Sequence, residues 1–150
     1  MSSISRANRA RPEDPQNVPQ PAGELDLVLV DTTWGEVQPL QPVSGVVTVG
    51  ELELIALLEE GAMLVDSRVP DSRSGVSLPG AVNVPHDEVT DRLEELTVEV
   101  LVLFCNGPQC PQTPDALRSL VAAGVEPRRL RYYRGGLHDW MTLGFPTVPV

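Results

Sequence analysis

The chain has 150 residues, which is enough for one domain with a buried core. Hydrophobic residues make up 41% and charged residues 21%, the composition of a soluble globular protein. A net charge of -10 argues against nucleic acid or an anionic membrane as a partner, because both attract basic surfaces. Two cysteines are too few for a disulfide scaffold, and they need help from His86 and His138 to form a four-ligand zinc site. We therefore expect no metal and no cofactor.

The sequence contains no apolar run of the about 18 residues that a membrane span requires. The arginines near the N-terminus are not followed by the apolar stretch of a secretory signal. We therefore expect a cytoplasmic protein whose cysteines are reduced.

Three regions follow one another along the chain. Residues 1–23 are polar and rich in proline, so we expect a disordered tail. Residues 24–45 cannot form a regular helix because of Pro39 and Pro42, and we predict an extended arm anchored by Trp34. Residues 46–150 form the predicted domain.

Within the domain, short apolar runs alternate with helical patterns. Strands are predicted over 46–49, 62–66, 81–84, 100–104 and 130–133, with helices over 50–60, 111–123 and 137–143, an amphipathic segment over 87–96 and a loop over 70–79. Leu52, Ile55, Ala56 and Leu58 have helical spacing in the first helix. This alternation predicts βαβ units with right-handed crossovers and a largely parallel sheet.

The strongest strand pattern ends in a cysteine. Five apolar residues, Val100–Phe104, precede Cys105, and a short loop leads to a helix beginning near Pro111. This order places Cys105 at the carboxyl end of a strand and beside a helix N-terminus, where loop amides and the helix dipole favour a negative group. Cys105 is therefore a predicted thiolate nucleophile. Cys110, the second cysteine, lies in the same loop.

Two other predicted strands end in polar residues, Asp66 and Arg134. In a parallel sheet these residues would lie at the same edge as Cys105. We predict that Asp66 orients the loop or caps a helix, and that Arg68 forms either an anion contact or a surface ion pair.

Several segments together resemble the rhodanese-like family of sulfurtransferase domains over about residues 46–148. They are the Leu64–Arg68 strand end, the Leu78–Pro85 segment with its Pro-Gly-Ala-Val-Asn-Val-Pro order, the Cys105 loop, and Arg134-Gly135-Gly136 followed by Trp140. The resemblance implies a three-layer α/β domain with a central, mainly parallel sheet of about five strands and helices on both faces.

The resemblance also implies a mechanism. Cys105 would take a sulfane sulfur from a donor such as thiosulfate, become a persulfide, and pass the sulfur to a thiol or cyanide acceptor. The active-site loop that cradles this sulfur would consist of Asn106, Gly107, Pro108, Gln109 and Cys110. The implied partners are then small sulfur compounds, and no particular oligomeric state is implied.

The loop departs from the family pattern in two ways. Cys110 stands where the family often has an arginine, so Arg68 and Arg134 are candidate replacements as anion contacts. Pro108 and Pro111 each lack a backbone N–H, so the cradle has fewer amide donors. The loop is also too short for the related phosphatases and lacks their closing arginine, so phosphatase activity is not expected.

A loop with two cysteines is similar to that of a subgroup of single-domain rhodanese-like proteins. The second cysteine leaves alternatives for the function open. Cys110 either attacks the Cys105 persulfide as a resolving thiol or only fills the arginine position. Three functions follow: a sulfurtransferase, a catalytically silent binding or regulatory domain, and a redox protein that cycles the Cys105/Cys110 pair between dithiol and disulfide.

Overall fold

A computed structural model describes residues 20–21, 28–29, 37–73 and 75–150 of the chain. Trp34 and nearly all of the predicted tail lie outside these residues. The exception within the tail is Gln20–Pro21, which pairs antiparallel with Val28–Leu29. No helix in the described part of the chain is long and apolar enough to cross a membrane.

The described strands are short, and five of them form the central sheet. In chain order the strands are β1 (Gln20–Pro21), β2 (Val28–Leu29), β3 (Val47–Thr48), β4 (Met63–Asp66), β5 (Val76–Ser77), β6 (Val82–Asn83), β7 (Leu101–Phe104), β8 (Leu130–Tyr132) and β9 (Val148–Pro149). The central sheet has the order β3-β8-β7-β4-β6, and every pairing in it is parallel. The predicted parallel sheet is confirmed.

Helices cover both faces of this sheet. The α-helices are α1 (Glu51–Glu59), α2 (Gln112–Ala122) and α3 (Gly136–Thr142), and 3-10 segments span Pro70–Ser72, Val89–Glu95 and Pro127–Arg129. The predicted amphipathic segment over 87–96 is thus not an α-helix. Arg92 has φ -124° and ψ 29°, outside the helical region, and this breaks the segment into two short turns.

Two details differ from the sequence expectation. Leu52 is one of the residues with helical spacing in α1, yet it is 78% exposed. The residue that α1 buries fully is Leu54. The predicted loop over 70–79 contains β5, which pairs antiparallel with β9 outside the central sheet. Strands of two residues give no periodic signal, so the sequence pattern could not reveal this pair.

The core consists of two layers separated by the sheet. Val65, Leu103 and Tyr132 lie on the face that packs against Ala116, Leu117 and Leu120 of α2. Leu64, Val102 and Phe104 lie on the other face, against Leu54 of α1 and Leu137 and Trp140 of α3. All four residues of β7 are 0% exposed, so the central strand is buried on both sides. Each fully buried Leu or Val of this kind contributes about 1.5–3 kcal/mol.

The parallel order of β8, β7 and β4 determines where their carboxyl ends lie. Asp66 ends β4, Cys105 follows β7, and Arg134 follows β8 by two residues. The three predicted residues therefore lie along one edge of the sheet, where open α/β sheets bind their ligands.

Candidate active site

The loop after β7 is held in place by the start of α3. The Cys105 carbonyl accepts a hydrogen bond from the Leu137 amide at 3.1 Å, and the Asn106 carbonyl accepts one from the His138 amide at 2.8 Å. Within the loop, the Cys110 amide donates to the Gly107 carbonyl at 3.0 Å. Backbone hydrogen bonds thus fix the shape of the predicted cradle from two sides.

Gly136 makes this contact between α3 and the loop possible. Its φ is +60°, and a Cβ at this position would overlap the Cys105 carbonyl oxygen and lie 2.9 Å from the Gly107 nitrogen. Only glycine lets the two backbones approach this closely. The second glycine of the Arg134-Gly135-Gly136 motif therefore serves the active-site loop.

A second anchor is the side chain of Asn106, which is 1% exposed. Its Oδ1 accepts a hydrogen bond from Arg68 Nη1 at 3.0 Å, and its Nδ2 donates to the Ser72 carbonyl at 2.9 Å. Asn106 therefore connects the loop to the segment after β4.

Asp66 and Arg68 form a fully buried ion pair beneath the loop. Arg68 Nε and Nη2 donate to the two Asp66 carboxylate oxygens at 2.9 and 2.7 Å. Nη2 also donates to the Val76 carbonyl, and Ser77 Oγ donates to Asp66 Oδ2. Asp66 is thus connected to the loop through Arg68 and Asn106, and its loop-orienting role stays a prediction. Arg68 also donates to Asn106, and both side chains of the pair are 0% exposed, so the pair lies in the interior rather than on the surface. The anion-contact role of Arg68 stays a prediction.

Arg134 is partly exposed and contacts the arm rather than the loop cysteines. Its Nε and Nη2 donate to the Gln38 carbonyl at 3.0 and 2.7 Å, and the Gln38 amide donates to the Pro108 carbonyl at 2.7 Å. The described part of the predicted arm thus lies across the loop. The anion-binding role of Arg134 stays a prediction.

Arg73 is a cation at this edge that the sequence interpretation missed. Its Nε lies 3.5 Å from Asp66 Oδ2, and its side chain is 23% exposed. The neighbouring Ser72 contacts Asn106 and accepts a hydrogen bond from Gln112 Nε2 on its hydroxyl. The only feature of the sequence that pointed to Arg73 was its position in the loop after the end of β4.

Cys105 is 2% exposed, and the groups around its sulfur decide its ionisation. Burial alone raises the pKa of a thiol, yet hydrogen bonds from the Cys110 thiol, from the hydroxyl and amide of Thr113, and from the Gly107 amide outweigh it and lower the pKa of Cys105. The Thr113 and Gly107 amides come from the start of α2 and from the loop, as the strand-loop-helix pattern predicts. This arrangement stabilises a thiolate.

Cys110 is 0% exposed and free, like Cys105. Two causes raise the pKa of Cys110 far above its ordinary value. The larger is its hydrogen bond to Cys105, and the second is burial. The Cys105 sulfur lies 3.5 Å from the Cys110 carbonyl oxygen. The surroundings therefore favour ionisation of Cys105 over ionisation of Cys110.

Neither histidine is among the groups that shift the pKa of Cys105. Burial lowers the pKa of His138, so its imidazole is neutral at physiological pH and supplies no cation to the loop. The His86 amide donates to the Ser67 carbonyl. Within the described residues, no group of three or more His, Cys, Asp or Glu side chains could hold a metal ion.

Comparisons with known proteins agree with this fold. The chain is 38% identical over 96 residues to the HTH-type transcriptional regulator Rv0324 of Mycobacterium tuberculosis, a stretch that is 63% of this chain and 41% of the regulator. The chain thus matches less than half of that regulator's length.

Two solved structures illustrate the structural similarity. The thiosulfate sulfurtransferase of Pseudomonas aeruginosa superimposes with a TM-score of 0.56 and 26% identity over 69% of this chain and 20% of that one. The rhodanese-like domain of an Anabaena protein gives a TM-score of 0.56 and 24% identity over 69% of this chain and 79% of that one.

The model of the rhodanese-like domain family matches residues 51–143, which include every element from α1 to α3. This range contains the buried Asp66–Arg68 pair, the Cys105 loop and the glycine that lets α3 approach it. The chain belongs to the rhodanese-like domain family.

Proposed function

We propose that this domain is a sulfurtransferase that carries a sulfane sulfur as a persulfide on Cys105. The observation that carries the proposal is the environment of the Cys105 sulfur, where amides and hydrogen-bond donors lower the pKa of a buried thiol at the end of the central strand. A thiolate is the form that attacks sulfur. The similarity to a thiosulfate sulfurtransferase supports the same chemistry.

The reaction has two steps. The Cys105 thiolate attacks the outer sulfur of thiosulfate, the S–S bond of thiosulfate breaks, and sulfite leaves with the electron pair. The outer sulfur of the resulting persulfide is then attacked by cyanide or an acceptor thiolate, which regenerates the Cys105 thiolate. The Gly107 and Thr113 amides stabilise the negative charge at both stages.

An anionic donor needs a cation near the loop, and we assign this role to Arg73. Its side chain is 23% exposed, whereas Arg68 is 0% exposed and bonded to the protein. Arg73 Nε is itself buried and lies 3.5 Å from Asp66 Oδ2. The oxygen atoms of the donor would therefore bind at the exposed part of the Arg73 side chain.

Steady-state formation of thiocyanate from thiosulfate and cyanide tests this proposal. We expect Cys105→Ser to abolish turnover and Arg73→Gln to lower kcat/KM for thiosulfate about tenfold, the effect of one lost charge-assisted hydrogen bond. Arg118→Gln is the matched control, because Arg118 pairs with Asp115 on the surface of α2. Wild-type turnover in Cys105→Ser would contradict the proposal.

Two alternatives rest on specific observations. The hydrogen bond between the two thiols favours a redox protein, in which mild oxidation would remove two hydrogens in a reaction that either Cys105→Ser or Cys110→Ser prevents. The similarity to a transcriptional regulator favours a silent binding or regulatory domain. A silent domain would produce no thiocyanate and accept no sulfur from any donor.

A further inference from the structure

Three buried hydroxyl groups have no hydrogen-bond partner in the described part of the chain other than the Cys105 sulfur, which one of them, that of Thr113, contacts. They are the side-chain oxygens of Ser67, Thr113 and Tyr132, and all three residues are 0% exposed. Nearly all buried polar groups in native proteins are hydrogen-bonded. Three hydroxyls without an ordinary protein partner therefore require an explanation.

The register of the sheet places these hydroxyls on the same face as the Cys105 side chain. Tyr132 pairs with Leu103 in parallel register, and Leu103 is two residues before Cys105. The Ser67 amide donates to the Phe104 carbonyl at 2.9 Å, which continues the β4–β7 ladder to the level of Cys105. Paired residues of a parallel sheet, and residues two apart on a strand, point to the same face.

The third hydroxyl comes from the helix that covers this face. Thr113 is the second residue of α2, and its hydroxyl and amide both lower the pKa of Cys105. Tyr132 packs with Ala116, Leu117 and Leu120 of the same helix. Its own pKa is raised by burial and then by the negative charge of Cys105, so the phenol stays protonated and remains a donor.

We propose that the hydroxyls of Ser67, Thr113 and Tyr132 form the donor set that binds the outer sulfur of a persulfide on Cys105. The inference rests on the proposed sulfurtransferase function. When the Cys105 thiolate attacks thiosulfate and sulfite leaves, the negative charge passes to the new outer sulfur. The Cys105 sulfur is then uncharged, and it is the outer sulfur that needs hydrogen-bond donors. Pro108 and Pro111 remove two amides from the loop, and the three hydroxyls take their place.

Variants that remove one hydroxyl each test the inference. Thr113→Val, Tyr132→Phe and Ser67→Ala remove the hydroxyl with little change in the shape of the side chain, and no group other than the Cys105 sulfur loses a donor, so the fold is retained. Intact mass over time after loading with thiosulfate measures how long Cys105 keeps the sulfur. The pH dependence of alkylation measures the ionisation of the loaded sulfur.

We expect Thr113→Val and Tyr132→Phe each to shorten the lifetime of the sulfur adduct about tenfold and to raise the ionisation midpoint by about one pH unit. Thr113→Ser keeps the hydroxyl and should behave like the wild type. Tyr133→Phe is the matched control, because Tyr133 lies on the opposite face and its hydroxyl donates to Glu51 Oε1 at 2.8 Å. It should leave the adduct unchanged.

The outcomes separate this inference from the function on which it rests. Suppose that the wild type gains sulfur and that the Thr113→Val, Tyr132→Phe and Ser67→Ala variants show the same adduct lifetime and the same ionisation midpoint. This result would overturn the proposed role of the hydroxyls and leave the sulfurtransferase function standing. A wild type that gains no sulfur from thiosulfate would overturn both the donors and the sulfurtransferase.

Discussion

At the scale of single residues, the reactivity of Cys105 is set by its neighbours rather than by exposure to solvent. A buried cysteine with no donors would have a raised pKa and would be inert. Here the Cys110 thiol is the first of the donors that lower the pKa of Cys105. The residue that replaces the family's usual arginine thus stabilises the thiolate by a hydrogen bond.

Removal of this donor should change the pH at which Cys105 reacts. In Cys110→Ala the pKa of Cys105 should rise, so less thiolate is present at neutral pH and alkylation there should slow about tenfold. The rate of iodoacetamide alkylation as a function of pH gives the midpoint directly. Cys110→Ser keeps a hydroxyl donor and should stay near the wild type. An unchanged midpoint in Cys110→Ala would show that Cys110 does not stabilise the thiolate.

At the scale of secondary-structure elements, the active-site loop is fixed by the three elements around it. α3 holds its backbone through Leu137 and His138, the segment after β4 holds Asn106 through Arg68, and α2 supplies the Thr113 donors. The Asp66–Arg68 pair is the part of this arrangement with the greatest energetic consequence, because both charges are fully buried.

Breaking this pair should destabilise the whole domain. Asp66→Asn leaves the buried Arg68 charge without its counter-ion, which we expect to lower the free energy of unfolding by about 3–5 kcal/mol. The midpoint of urea unfolding, at an unchanged slope, measures the loss. Asp115→Asn removes a surface pair of which both side chains are about half exposed, and it should cost less than about 1 kcal/mol. Equal midpoints for the two variants would contradict the role of the buried pair.

At the scale of the whole molecule, the parallel sheet could be predicted because its central strands are buried and therefore uniformly apolar. The same pattern placed Cys105 at a strand end, since β7 stops where the apolar run stops. The Arg68–Asn106 hydrogen bond joins residues 38 apart in sequence, and the Gln38–Arg134 bonds join residues 96 apart. Such partners depend on tertiary register, which no local pattern contains.

The unpartnered hydroxyls show the same limit more sharply. A tyrosine in a strand and a threonine in a helix are ordinary packing residues in sequence, and only the shared face of β7, β8 and α2 brings Tyr132 and Thr113 to Cys105. The strand ends were predictable, but the donors around the sulfur were not.

The most direct test of the central claim is the intact mass of the protein after incubation with thiosulfate. A sulfur carrier at Cys105 predicts that the wild type and Cys110→Ser each gain the mass of one sulfur atom, with more adduct retained in Cys110→Ser if Cys110 resolves the persulfide. Cys105→Ser should gain none. The account would be contradicted if neither the wild type nor Cys110→Ser gained sulfur. It would also be contradicted if Cys105→Ser gained as much sulfur as they do.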